Sequence, residues 1–144
     1  MWSVLVVLLS LSSLPNAALG DSIAAGTGSA LGVSTYAKVG SSSCYILAHT
    51  PRIAFNHVVI SAGINDAPGR CVAALLNRVQ ARDVVVILPA PINSARAHVA
   101  RLAAKHGFRT VSYACTGGCT KRNFHPSSYL AVARAVRELW NEHN

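Results

Sequence analysis

A serine, an asparagine and a histidine lie far apart in this sequence, and each follows an apolar stretch. Ser22 closes a Gly-Asp-Ser triplet, Asn65 lies in Gly-Ile-Asn-Asp, and His125 precedes a proline near the C-terminus. A serine hydroxyl becomes a useful nucleophile when a histidine removes its proton, and an amide can donate a hydrogen bond to the oxyanion that then forms. These three residue types can therefore carry out acyl transfer if the fold brings them together.

The segments around these residues alternate between short β-branched runs and runs of helical periodicity. Strands are predicted over 33–39, 58–63, 84–88 and 110–114, and helices over 72–82, 94–106 and from 126 onward. Strands separated by helices of about ten to fifteen residues predict an α/β fold, with a parallel sheet covered on both faces. Loops at the carboxyl ends of parallel strands carry function in such folds, and we expect Ser22, Asn65 and His125 there.

Three blocks of the sequence resemble those of the SGNH (GDSL-like) hydrolases, a superfamily of serine esterases and acylhydrolases. The blocks are residues 20–26, 63–66 and 125–126, and the resemblance extends from about residue 18 to the C-terminus. It implies a single domain with a three-layer α/β/α sandwich, flavodoxin-like, around a central parallel sheet of about five strands. It also implies hydrolysis of an ester or thioester through an acyl-enzyme, without a metal or any other cofactor.

The same resemblance implies a role for each residue of the site. Ser22 would be the nucleophile and His125 its base. The N–H of Ser22, the N–H of Gly40 and the side chain of Asn65 would form the oxyanion hole. Gly40 is assigned because it follows the second predicted strand, where a residue without a side chain lets a substrate approach the backbone. Asp21, in the same block as the serine, is a supporting residue.

The chain departs from the family pattern at the acid of the triad. The family commonly has an aspartate three residues before the histidine, and this chain has Arg122 there. We therefore expect a Ser22–His125 dyad, in which a backbone carbonyl or the Asn123 side chain holds Nδ1 of the histidine. Arg122 could hold an anionic substrate, although a solvent-facing arginine is the simpler interpretation.

Four cysteines are an even number, as expected of a disulfide-bonded exported protein. They allow three pairings. Cys115 and Cys119 flank a Gly-Gly pair that can close a small bridge, which leaves Cys44 to pair with Cys71. A zinc site of four cysteines is the alternative, but neither pair has the two-residue spacing typical of such sites.

The first segment of the chain is apolar and carries no charged side chain. Residues 1–17 are interpreted as a signal peptide cut near Ala17 or Ala18, with the domain at 18–144, which predicts a secreted or periplasmic protein. The alternatives are an uncleaved anchor or the first buried strand of the fold. The apolar run is shorter than the roughly 20 residues of a spanning helix, so no stable membrane insertion is expected.

The chain is basic, with 13 Lys and Arg against 5 Asp and Glu and a formal net charge of +8. This charge suits attraction to acidic polymers, although the basic residues are scattered as on an ordinary solvated surface. No nucleic-acid-binding motif accompanies them, so nucleic acid is not an expected partner. A monomer is expected.

Three functions are compatible with these patterns. The leading one is hydrolysis of a small, acetyl-type ester, such as an acetyl group on a glycan, because 144 residues leave short loops and aromatic residues make up only 6%. The second is a non-catalytic, basic secreted protein that binds a glycan or an anionic surface polymer. The third is a nucleotide-binding protein in which Gly26, Thr27 and Gly28 would cradle a phosphate, although no Walker lysine follows.

Overall fold

The protein, analysed as a computed structural model that describes residues 14–142, has a central sheet of five parallel strands within these residues. The strand order is β2-β1-β3-β4-β5, which places β1, β3 and β4 inside the sheet. The strands are β1 (Ala17–Gly20), β2 (Ser34–Ala37), β3 (Ala54–Ser61), β4 (Gln80–Ile87) and β5 (Arg109–Val111). The helices are α1 (Ser22–Leu31), α2 (Ser43–His49), α3 (Val72–Arg78), α4 (Ala95–Lys105) and α5 (Tyr129–Asn141), with a 3₁₀ turn at Ile64–Asp66.

Helices cover both faces of this sheet. The helices α2, α3 and α4 bury Ile46, Leu75 and Val99 against one face, whereas α1 and α5 bury Ile23 and Val136 against the other. Successive residues of β3 and β4 contribute to the two cores in turn. This burial on both sides explains why the central strands are nearly continuous β-branched runs. The predicted three-layer α/β/α sandwich is confirmed.

The predicted boundary between α3 and β4 is wrong. The helix ends at Arg78 instead of near Arg82, and β4 begins at Gln80. Gln80 pairs with Ala54 of β3, so the strand starts where its neighbour can offer hydrogen-bonding partners. The polar residues at its start were read as the end of a helix because their pairing depends on a distant segment.

The boundaries near the C-terminus also differ from prediction. β5 ends before Ala114, and α5 begins at Tyr129 instead of at Pro126. The N–H of Ser127 donates to the carbonyl of Ala114 at 2.8 Å, which closes the loop between them and keeps Ser127 outside the helix. Ser128 then caps the helix with its hydroxyl oxygen, as serine commonly does at this position.

The chain joins the folded domain before β1. The N–H of Asn56 donates to the carbonyl of Pro15 at 2.8 Å, and the N–H of His57 donates to the Asn16 side chain at 3.2 Å. Ala17 is fully buried in the sheet, so cleavage at the expected position would remove the start of a central strand. Most of the predicted signal peptide lies outside the described residues and stays a prediction. Between residues 14 and 142, no helix combines the length and hydropathy needed to cross a bilayer.

Both predicted cysteine pairs are present as disulfides, Cys44–Cys71 and Cys115–Cys119. The zinc alternative is wrong, because all four sulfurs are used in these bonds. The first disulfide joins the start of α2 to the residue before α3, and the second closes the loop after β5. Disulfides of this kind are typical of proteins that work in an oxidising compartment.

Candidate active site

Ser22 and His125 meet at the carboxyl edge of the sheet. Ser22 is the first residue of α1, directly after β1, and His125 lies in the segment between β5 and α5. The Ser22 Oγ is 2.9 Å from Nε2 of His125. At this distance the ring nitrogen can accept the hydroxyl proton. Ser22 is half-buried and His125 is exposed, so the pair is open to a substrate from solvent.

A glycine makes the sharp connection from β1 to α1 possible. Gly20 has φ +141°, and a Cβ atom there would lie 1.8 Å from the carbonyl oxygen of Ser61 in β3. Asp21 follows, and its N–H donates to the same carbonyl at 3.1 Å. Its side chain accepts from the N–H groups of Ile23 and Ala24 and thereby caps α1. The serine is thus placed at the positive end of a helix, where a developing negative charge is stabilised.

Asp21 is a carboxyl group with no access to solvent. Burial raises its pKa from 3.8 to about 6, although hydrogen bonds from the Ser61 side chain and from the N–H groups of Ile23 and Ala24 act in the opposite direction. Desolvation therefore has the larger effect, because it penalises the charged form. The folded protein consequently binds a proton at Asp21 more tightly than the unfolded chain does.

We expect Asp21→Asn to raise the free energy of unfolding near pH 8 by about 2–3 kcal/mol, because the amide keeps a capping oxygen and removes a buried charge. The stabilising contribution of protonated Asp21 is fully present below pH 3.8 and is lost as the pH rises through about 6. Urea unfolding at about pH 4, 6 and 8 should show that the free energy of unfolding falls less with rising pH in the variant than in the wild type. Glu138→Gln, which removes an exposed carboxylate, is the control. Equal pH profiles for wild type and Asp21→Asn would contradict this expectation.

Gly40 and Asn65 lie in two loops that hydrogen bonds through Ser41 connect to the segment that carries Ser22. The Ser41 hydroxyl donates to the carbonyl oxygens of Lys38 at 2.8 Å and of Gly20 at 3.3 Å. The Asn65 Nδ2 donates to the carbonyl of Ser41 at 3.0 Å, which leaves the second proton of the amide available. Nothing within residues 14–142 accepts a hydrogen bond from the backbone N–H of Gly40. Two of the donors expected for an oxyanion hole are therefore free to bind a ligand.

A second set of contacts holds the Asn65 loop, and the sequence did not indicate it. Asp66 accepts hydrogen bonds from the N–H and the hydroxyl of Ser43, at 2.9 and 2.6 Å. The Ser43 hydroxyl in turn accepts from the N–H of Cys71 at 2.9 Å. Asn93 donates from Nδ2 to the carbonyl that directly precedes Asn65. Ser43 and Asn93 lie outside any motif, so only their tertiary contacts identify them.

The histidine is held by the segment around it. The Tyr113 hydroxyl donates to the carbonyl of Phe124 at 2.8 Å, which fixes the peptide next to His125. The ring of Phe124 stacks on the imidazole with the centroids 4.8 Å apart. Burial raises the pKa of Tyr113 to about 12, so the phenol keeps the proton that it donates. Tyr113 was also missed by sequence analysis, since a tyrosine after a strand is common in any core.

The Asn123 side chain, one of the two partners considered for Nδ1 of His125, does not form a hydrogen bond with the imidazole. The Asn123 amide donates instead to the carbonyls of Thr116 at 2.7 Å and Gly118 at 3.2 Å, inside the loop closed by the Cys115–Cys119 disulfide. Asn123 therefore shapes this loop and does not touch the ring. Arg122 is exposed, and no carboxylate in residues 14–142 is hydrogen bonded to His125.

Gly26 and Gly28, the glycines proposed to cradle a phosphate, have a packing role instead. Both lie within α1. A Cβ on Gly26 would meet the ring of Tyr129 at 2.4 Å, and one on Gly28 would meet the Thr35 side chain at 2.5 Å. These glycines let α1 pack closely on α5 and β2, so the interpretation as a nucleotide-binding loop is wrong.

No protein-family model matches the chain, and no curated protein matches it. The fold, however, is shared by solved structures. A GDSL-like lipase from Bacteroides thetaiotaomicron matches with a TM-score of 0.58 at 16% identity, over 90% of this chain and 88% of the other. A protein assigned as an acylhydrolase from Bacteroides fragilis matches with a TM-score of 0.59 at 17% identity, over 94% of each chain. The fold predicted from the resemblance to SGNH (GDSL-like) hydrolases is therefore confirmed.

Proposed function

We propose that this protein is a serine ester hydrolase that removes a small, acetyl-type acyl group through an acyl-enzyme. The observation that supports it most directly is the 2.9 Å separation of Ser22 Oγ and His125 Nε2 at the functional edge of a hydrolase-type fold. Exposure of the histidine favours a small acyl group on a larger carrier, such as a glycan, over a long lipid chain enclosed in a tunnel.

In the first half of the proposed reaction, the hydroxyl oxygen of Ser22 attacks the ester carbonyl carbon while Nε2 of His125 takes its proton. The oxyanion accepts hydrogen bonds from the N–H groups of Ser22 and Gly40 and from the Asn65 amide. The tetrahedral intermediate then collapses, the imidazolium gives its proton to the leaving alcohol oxygen, and the acyl group stays on Ser22.

In the second half, His125 takes a proton from a water molecule, whose oxygen attacks the acyl carbon. Collapse of this intermediate returns the proton to Ser22 Oγ and releases the carboxylic acid. A dyad is sufficient for these transfers if the imidazole is already oriented. The contacts of Tyr113 and Phe124 with the His125 segment support that orientation in place of a carboxylate.

A fluorophosphonate probe tests for an activated serine. We expect wild-type protein to be labelled near pH 8, and Ser22→Ala and His125→Ala to remain unlabelled. Ser29→Ala is the matched control, because Ser29 is an exposed serine later in the same helix and should not affect labelling. Unlabelled wild-type protein would contradict the proposal. It would favour the second candidate, a non-catalytic binding protein, which the net charge of +8 and the absent triad carboxylate also support.

Tyr113→Phe tests whether the orientation of His125 depends on the phenol. Losing a hydrogen bond of this kind should lower kcat for p-nitrophenyl acetate by about threefold to tenfold with little change in KM, because the ring of the histidine becomes less well placed. Thr110→Val, which removes an exposed hydroxyl from β5, is the control. An unchanged kcat in Tyr113→Phe would show that the Phe124 stacking is sufficient.

We also propose that the protein acts outside the cytoplasm, in a secreted or periplasmic setting. The two disulfides support this, since such bonds persist in oxidising compartments.

A further inference from the structure

Two adjoining cavities lie beside the loop that carries Gly40. The first has a volume of about 280 Å³ and is lined by residues 38–42 and Tyr45. The second has a volume of about 230 Å³ and lies between the edge strand β2, Gly20 and the side chains of α2. Lys38 and Tyr45 line both cavities and therefore lie where the two adjoin; we call the two cavities together the β2 groove.

The β2 groove combines aromatic rings with a cation. The ammonium group of Lys38 lies 4.7 Å from the centroid of the Tyr45 ring, and the other ring contact of Tyr45 is a stack on His49 at 3.8 Å. Tyr36, which is 39% exposed, also lines the groove. No Asp or Glu lines either cavity, and Lys38 forms no ion pair within residues 14–142. A negatively charged group of a ligand could therefore pair with Lys38 without displacing a carboxylate of the protein.

The β2 groove is connected to the candidate active site through Ser41. This residue lines the groove, and its carbonyl accepts the hydrogen bond from Asn65. Its hydroxyl donates to the carbonyl of Gly20, two residues before Ser22. A ligand in the groove would thus lie against the same loop that offers the Gly40 N–H. The groove is therefore next to the loop that would bind the oxyanion, and this is the basis for assigning it to the carrier of the acyl group.

We propose that the β2 groove binds a carboxylated sugar residue of an O-acylated acidic polysaccharide, with its carboxylate on Lys38 and its ring against the exposed side chain of Tyr36. This rests on the proposed function, because it assigns the carrier of the ester that Ser22 attacks. A single ammonium beside aromatic faces suits a carboxylated ring better than a phosphate, which commonly takes several converging donors. The net charge of +8 would further raise the local concentration of a polyanion.

The catalytic test compares O-acetylated polygalacturonate with O-acetylated xylan, a neutral polymer, and with p-nitrophenyl acetate. We expect Lys38→Gln to raise KM about tenfold on the acidic polymer alone, with kcat and the hydrolysis of the two neutral esters nearly unchanged. Lys105→Gln is the control, since it removes the same charge from an exposed residue at the opposite edge of the sheet. Equal effects of Lys38→Gln on neutral and acidic esters, or no effect on either, would overturn the proposal.

A binding test separates this inference from the proposed function. Ser22→Ala protein should bind unacetylated oligogalacturonate more tightly than neutral xylo-oligosaccharide, and adding Lys38→Gln should lower the affinity for oligogalacturonate about tenfold. Added salt should also lower this affinity. If wild-type protein fails to hydrolyse p-nitrophenyl acetate but shows this binding, the proposed esterase function is wrong and the proposed binding of a carboxylated sugar in the β2 groove is supported. If hydrolysis occurs but oligogalacturonate does not bind, or binds regardless of Lys38, the β2 groove proposal fails.

Discussion

Ser22→Ala, His125→Ala and the double variant should each lower kcat/KM for p-nitrophenyl acetate by about 10⁴-fold or more. The three losses should be similar in size, because a serine without a base is a weak nucleophile and a base without the serine has no proton to move. The proposed dyad treats these two side chains, which are joined by the hydrogen bond between Oγ and Nε2, as one functional unit.

Steady-state hydrolysis at saturating and limiting ester concentrations measures these losses, and active-site titration of each preparation excludes traces of wild-type enzyme. His98→Ala is the matched control, because His98 lies in α4 and contacts Arg101 instead of the site. If the losses of the two single variants multiply in the double variant, Ser22 and His125 act independently and the proposed dyad is wrong.

Asn65→Ala should lower kcat about 10²- to 10³-fold with little change in KM, the usual effect of removing one oxyanion-hole donor. The effect falls on kcat because the amide would bind the oxyanion more strongly than the carbonyl of the bound ester. Asn65→Asp should be at least as damaging, since a carboxylate offers no donor and places negative charge beside the oxyanion.

Asn77→Ala is the control for this prediction, because Asn77 bonds His106 away from the site. Thermal unfolding of Asn65→Ala should stay near that of the wild type, since the side chain is exposed and makes one hydrogen bond within the described residues. A kcat within about threefold of wild type would show that the two backbone N–H groups stabilise the oxyanion without the amide.

The layers of the fold were predictable because burial leaves a local pattern. The β-branched runs of β3 and β4 could only be strands covered on both faces, and the helical spacing of α3 and α4 supplied the cover. The start of β4 was not predictable, since Gln80 becomes a strand residue through pairing with Ala54 of β3. The boundary errors thus lie where backbone hydrogen bonds to residues distant in sequence decide where an element begins.

Some residues of the candidate site were likewise predictable from local sequence, whereas others were not. Ser22 and His125 could be found from sequence because each lies in a short segment of recognisable order, and the structure brings them to hydrogen-bonding distance. Their supports could not be found, because Tyr113 reaches the His125 segment through a single hydroxyl and leaves no local pattern. Asn123 was one of two candidate partners for the imidazole, but its side chain lies in the loop closed by the Cys115–Cys119 disulfide, where it donates to the carbonyls of Thr116 and Gly118.

The carbonyl of Ser61 also limits which residues natural variants can have at position 20, because it lies where a side chain of Gly20 would begin. Any missense change in the glycine codon would force a Cβ into the backbone of a neighbouring central strand, at a conformation that side chains rarely adopt. Repair would require a shift of β1 or β3, which no single accompanying substitution supplies. Natural variants of this protein should therefore keep glycine at this position, even in lineages where Ser22 itself has been lost.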